Sequence, residues 1–290
     1  MTFTEILSSD FLMSVVIRAL IVGALISVCS SLLGVSLVMK RYSMIGDGLS
    51  HVGYFALALG ALVGVGSEIS QALAIPVVIA AAVLILKLDE SRKISGDAAC
   101  AIVATGSVAV GTIVFSISGT ATSDICSSLF GSSSVVTVTN RDAVLSIVLA
   151  AVVIVWFLLF FKQIFSTAFD EQFAAASGIK TSAFRMLLAV LTAVTIVVGM
   201  KMMGAIMISA LIVFPAMSAM RLAKSFKGVV IFAALSSILC FVVGFAAACR
   251  FSLQTGAAVV CAELALFIVS CTFEKLRAAV RTKRTFEKTA

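Results

Sequence analysis

Long apolar runs broken by short polar segments repeat along the whole chain. A helix needs about 20 apolar residues to cross the hydrocarbon of a bilayer. Runs of that kind fall near residues 12–39, 46–66, 69–87, 97–118, 141–161, 183–200, 204–222, 228–249 and 255–273. The pattern predicts nine helical spans. The division near Lys201 is its weakest point, because one broken helix there would leave eight. No segment sustains strand-type alternation, which excludes a membrane barrel. The fold class expected is therefore all-α, a polytopic integral membrane protein with one transmembrane domain over 1–273 and a basic tail over 274–290.

Composition reinforces this reading. Of 290 residues, 61% are apolar and 12% charged, against roughly half and a quarter in a soluble domain. A secreted enzyme or a disordered regulator is excluded. The net charge of +7 would suit nucleic acid, but the placement of the charges gives it another origin. With the N-terminus outside, the inner segments hold Lys40, Arg41, Lys87, Arg92, Lys93, Lys162, Lys180, Arg185, Arg221, Lys224, Lys227 and six residues of the tail. That is 17 of the 21 Lys and Arg. The positive-inside rule thus predicts an outer N-terminus and a cytoplasmic C-terminus, and no nucleic-acid partner. The tail is expected to be a solvated end touching anionic lipid headgroups. Glu5 and Asp10 precede the first run, which lacks the basic flank of a cleavable signal peptide and is expected to be retained. The seven cysteines include no CxxC, and most lie in apolar runs, where they serve as small hydrophobes.

Candidate chemistry is sparse. His51, the only histidine, follows Asp47 by four positions in Lys40–Gly53, which places the two side chains on one face of a helix. A carboxylate and an imidazole so placed form half of a divalent-cation site; equally, Asp47 could be an interfacial N-cap with His51 as its hydrogen-bond partner. Glu263 stands mid-span. A lone carboxyl there is expected to be neutral or paired with a neighbouring helix, with a role as third ligand the lesser alternative. Asp97 reads as a helix-start residue. Gly60 and Gly64 form a GxxxG, ordinarily a packing motif. Pro215 either breaks its span and lines a cavity or makes a plain kink. The inner segment 162–182 contains a short helix from Glu171 to Ser177, with Asp170 as N-cap and Gly178 as C′ residue. The outer loop from Ser118 to Asn140 is rich in Ser and Thr and carries Asp124 and Cys126. No phosphate-binding GxxxxGK[ST], HExxH or GxSxG occurs, so neither ATP hydrolysis nor another enzyme activity is expected of the chain itself.

Four stretches carry a resemblance: LLGVSLVMKRYSMIGDGLSHVG from Leu32, FDEQFAAASGIK from Phe169, LTAVTIVVGMKMMGAIMISALIVFPAMSAMRL from Leu191 and QTGAAVVCAELA from Gln254. In this order they resemble the zinc/manganese-uptake permeases of bacterial ABC importers. Gln254, where a Pro commonly precedes the Thr-Gly step, and Glu263 depart from the pattern. The resemblance implies a permease of the bacterial plasma membrane that works as a pair, each copy carrying a cytoplasmic ATPase, with an extracellular metal-binding protein delivering the ion. It implies a transported divalent metal, zinc first and manganese second, held in transit by Asp47 and His51, and no permanently bound cofactor. It makes Asp170–Gly178 the element that docks on the ATPase, with Phe169, Asp170, Glu171, Ala175 and Gly178 as its residues. The rival reading is an ion- or proton-coupled secondary transporter without an ATPase, for which the chain offers chiefly Asp47 and Glu263 as membrane carboxylates.

Overall fold

In hydrocarbon every backbone N–H and C=O must be paired within its own segment, so apolar runs of this length fold as helices. A computed structural model of the chain describes residues 10–40, 42–90, 95–119, 140–251 and 253–289. Arg41, Arg92, Lys93 and loop residues 120–139, with Asp124 and Cys126, lie outside the described residues. Among the described residues eleven helices follow one another: α1 (Asp10–Met39), α2 (Ile45–Val63), α3 (Ser67–Glu90), α4 (Gly96–Ile117), α5 (Asn140–Leu159), α6 (Phe161–Phe169), α7 (Glu171–Ala176), α8 (Thr181–Met203), α9 (Ala205–Leu222), α10 (Phe226–Phe251) and α11 (Thr255–Thr289). Among the described residues, all but α6 and α7 are long and apolar enough to cross a membrane, which makes nine spans.

The ambiguity near Lys201 resolves at Gly204. α8 runs past Lys201 to Met203, and Gly204 turns the chain with φ +85° and ψ 158° before α9 begins. That backbone is strained for any residue with a Cβ. Two spans result, and α9 continues as one helix through Pro215. Gly60 and Gly64 part company. Gly60 packs against Ser70 of α3, whereas Gly64, at φ +71°, ends α2. A further difference lies in the segment 162–182. The chain breaks at Phe160 and forms α6 before α7, where the sequence pattern suggested only the second helix.

α1, α2, α8 and α9 form the centre, and α4, α5 and α11 expose most of their apolar side chains. Those outer faces, with Ile102, Ile113, Leu158 and Ile268, suit lipid tails, which are as apolar as the side chains themselves. Between central helices the forces are close packing and a few polar ties. Ser237 of α10 donates to the Ser27 carbonyl of α1 at 3.0 Å, and both residues are fully buried. At Gly34 of α1, an added Cβ would stand 2.0 Å from the Ile212 carbonyl oxygen of α9, a backbone atom with no side-chain torsion to relieve it. Gly34→Ala is therefore expected to push α1 and α9 apart and cost about 1–3 kcal/mol. A lowered thermal unfolding midpoint of the detergent-solubilised protein would register it; an unchanged midpoint would mean that the two helices can separate freely.

Candidate functional site

α2 carries the Asp47/His51 pair. Met44 is its N-cap and provides no side-chain cap, so Asp47 lies inside the first turn and is not the cap that a structural role would require. The Asp47 Oδ1 to His51 Nε2 distance is 3.4 Å, longer than a well-formed hydrogen bond. The two side chains are 39% and 18% exposed. His51 Nδ1 is buried without a hydrogen-bond partner among the described residues, leaving Nε2, beside the carboxylate, as the nitrogen that can take a ligand. The pair is aligned but not closed upon itself.

The rest of α2 explains why these two atoms remain reachable. The helix is packed by α4, α3, α9 and α8, and most of its side chains are buried. A stripe at i, i+4 spacing stays partly open, Asp47, His51, Phe55 and Leu59, with Leu62 three positions further on and Leu57 beside it also half-buried. Residues so spaced share a face. A carboxylate and an imidazole thus stand at one end of a seam that is apolar along the rest of its length. The sequence gives no hint of the apolar part, since Phe55, Leu59 and Leu62 look like their buried neighbours.

Asp97 occupies the first turn of α4, with Ser95 as the N-cap whose Oγ accepts from the Ala98 N–H at 3.4 Å. Its Oδ1 is buried and without a partner among the described residues. Among those residues, no three His, Cys, Asp or Glu side chains gather as a metal cluster. Glu263, the candidate third ligand, falls within the span Thr255–Arg277. It lies on α11, 1% exposed, with neither carboxyl oxygen partnered among the described residues. Its neighbour across the interface is Cys240 of α10, whose thiol donates to the Ala262 carbonyl at 3.8 Å. A charge so enclosed is costly, and Gln copies the neutral acid in shape. Glu263→Gln is accordingly expected to leave transport within about twofold of wild type; loss of transport with normal insertion would make Glu263 a working carboxylate. Pro215 is buried within α9. Its missing N–H frees the Leu211 carbonyl.

At the other candidate element, Asp170 caps α7 by accepting from the Phe173 N–H at 2.9 Å. Gly178, at φ +84°, closes it, with Gly178 N–H donating to Ala175 and Ile179 N–H to Ala174. The helix ends one residue earlier than the sequence predicts, with Ser177 as C-cap. Ala174 is buried, whereas Phe169, Phe173 and Ala175 are exposed. Arg185, at the start of α8, reaches Glu90 at the end of α3 and Glu171 of α7, the latter at 3.7 Å. Burial pushes the Lys40 ammonium below the ordinary lysine range; the nearby Glu171 opposes this and Arg185 adds to it. The ends of α1, α3, α7 and α8 therefore meet in one charged cluster. Sequence reasoning missed it, because Glu90 and Arg185 are 95 positions apart.

Comparison with known proteins places this architecture. The chain is 28% identical over 253 residues to the manganese import system permease protein ScaB of Streptococcus gordonii, covering 87% of this chain and 89% of that one. It is 26% identical over 252 residues to the high-affinity zinc uptake system membrane protein ZnuB of Haemophilus influenzae, covering 87% and 95%. Among solved structures it is similar to PsaBC from Streptococcus pneumoniae in complex with Fab, with a TM-score of 0.77 and 25% identity over 92% of this chain and 93% of the other. Nine apolar helices and relatives of this kind make it a multi-pass protein of the bacterial plasma membrane. The model of the ABC 3 transport family matches residues 12–274, nearly the whole chain, and the protein belongs to that family.

Proposed function

We propose that the chain is the permease subunit of an ATP-driven importer that carries a divalent transition metal into the cytoplasm, with zinc the first choice and manganese the second. The observation that carries this reading is the Asp47/His51 pair, open at the end of an otherwise apolar seam. A metal in transit needs ligands good enough to replace part of its water and few enough to let it go. Asp47 supplies negative charge and His51 a nitrogen, a donor set that zinc and manganese both accept. Relatives named for manganese and for zinc support both cargoes.

Two ligands per chain also favour a paired permease, in which a second copy brings a second Asp47/His51 set. ATP hydrolysis belongs to a separate cytoplasmic subunit docked on α7, and an extracellular metal-binding protein presents the ion. This assigns the N-terminal end of α1 to the outside and the end bearing Lys40, Glu90, Glu171 and Arg185 to the cytoplasm, in keeping with the basic bias of the inner segments. α11 continues through residue 273 into the basic tail, which lies on the cytoplasmic side against anionic headgroups.

Uptake of radiolabelled zinc and manganese by cells with and without the chain, each in the presence of excess of the other metal, tests the assignment. Zinc accumulation that depends on the chain and resists manganese is the expected result. Preferential manganese accumulation would reverse the order of the two, and accumulation of neither would remove the reading.

A further inference from the structure

The cytoplasmic charged cluster contains a connection that the metal pair and the docking helix do not by themselves explain. Tyr42 lies between α1 and α2, five residues before Asp47. Its side chain is 8% exposed. Its ring packs on the start of α4, so closely that a Cβ on Gly96 would stand 2.7 Å from it. Its hydroxyl donates to Asp89 near the end of α3, next in the chain to Glu90, which Arg185 holds. Burial and the acceptor Asp89 push the Tyr42 hydroxyl well above the ordinary tyrosine range, with Arg185 opposing, so it remains a donor.

The backbone of Tyr42 is tied as firmly as its side chain. Its N–H donates to the Leu37 carbonyl of α1 at 3.0 Å, and its carbonyl accepts from the Ile45 N–H, the first residue of α2, at 3.3 Å. Whatever moves Tyr42 moves the first turn of α2, where Asp47 stands. Arg185 is the side chain that joins this residue to α7. It is 17% exposed and reaches Glu171 of α7 and Glu90 of α3, the residue next to the Asp89 that accepts from Tyr42. Arginine suits such a junction because its planar guanidinium offers five donors in a fixed fork, whereas lysine offers one flexible point charge.

We propose that Arg185 is a positioning residue for transport, linking the docking helix α7 to the Tyr42–Asp89 contact at the foot of α2, so that displacement of α7 reaches Asp47. This rests on the reading that α7 docks on the ATPase and that Asp47 holds the metal. A shift of α7 pulls Glu171; Arg185 passes the pull through Glu90 to the end of α3, the adjacent Asp89 passes it to Tyr42, and Tyr42, fixed to Ile45, turns the end of α2. The stripe through Asp47 and His51 is reoriented in step with the ATPase.

The test is the number of metal ions moved per ATP hydrolysed by the permease–ATPase complex in lipid vesicles, with zinc and manganese as separate cargoes. Arg185→Gln is expected to assemble, to hydrolyse ATP within about twofold of wild type and to lose about tenfold in metal moved per ATP. Tyr42→Phe keeps the ring on Gly96 but removes the bond to Asp89, and should fall in the same direction by about threefold. Arg185→Lys should fall between wild type and Arg185→Gln.

A merely structural contact would lower the yield or the thermal midpoint of the complex while leaving the ratio of metal to ATP unchanged. A ratio within about twofold of wild type in both Arg185→Gln and Tyr42→Phe overturns the proposal. Should Arg185→Gln fail to assemble, Tyr42→Phe decides it alone. Asp47→Asn and Ala175→Glu are measured beside them. If those two transport normally, the underlying reading fails and the proposal falls with it; if they behave as expected while the Arg185 and Tyr42 variants transport normally, the proposal alone is overturned.

Discussion

Asp47→Asn and His51→Ala are each expected to lower metal uptake per assembled complex by at least about a hundredfold, the upper range for disturbing a metal's surroundings even without removing a ligand. Asn preserves the shape of Asp47 and most of its hydrogen bonding but removes the charge that offsets a divalent ion. Ala removes the nitrogen. Neither change has a structural reason to unfold α2: Asp47 is not its N-cap, and the Asp47–His51 separation of 3.4 Å is longer than a well-formed hydrogen bond. Both variants should therefore insert, pair with the ATPase and hydrolyse ATP. The measurement is zinc and manganese uptake divided by the amount of complex recovered. If the pair served only to hold the N-terminal end of α2, complex would be lost and uptake would fall in proportion, with specific uptake near wild type. That pattern would end the ligand assignment.

The spans were legible because lipid enforces them. A run such as Val229–Ala248 has no other way to pair its backbone, and its length alone identifies a helix. Boundaries that depend on a single backbone conformation were less legible. The α8–α9 division lies at Gly204 and not at Lys201, because a charged residue is tolerated within a helix near its end, whereas the turn itself requires a residue free to adopt positive φ. α6 was missed for a different reason. Phe161–Phe169 reads as the polar continuation of a span, and only the break at Phe160 separates it from α5.

The Asp47/His51 pair could be found from sequence because helical spacing is a local property. The open stripe above it could not, since whether Phe55 or Leu59 is covered depends on where α4, α8 and α9 pass. The Arg185 junction is the extreme case. Tyr42, Asp89, Glu90, Glu171 and Arg185 come from four separate parts of the chain, and each alone looks like a solvated end of a helix. The sequence also leaves open what Glu263 does. Its burial against α10 follows from the packing of α11, and no local pattern around it foretells that its carboxyl oxygens find no partner among the described residues.

Ala175→Glu is expected to reduce uptake by about tenfold while the permease still inserts at its normal level, the size of effect typical of a variant that disturbs coupling between sites. α7 is a six-residue helix held by a cap at each end, Asp170 at the start and Gly178 at the finish. It turns Ala174 inward, fully buried, and Ala175 outward beside the exposed rings of Phe169 and Phe173. Glutamate is a good helix former, so at position 175 it leaves the caps and the buried face intact and changes only what α7 presents to a partner. A charge placed on an apolar contact must be desolvated or left unpaired when that contact forms. Ala174→Glu supplies the contrast, since it drives the same charge into the core and should cost insertion itself. Pull-down of the ATPase and ATP hydrolysis per complex distinguish the two, with Ala175→Glu losing the partner or its coupling and Ala174→Glu losing the permease. Normal uptake and normal ATPase recovery with Ala175→Glu would show that the outer face of α7 is not where the ATPase binds.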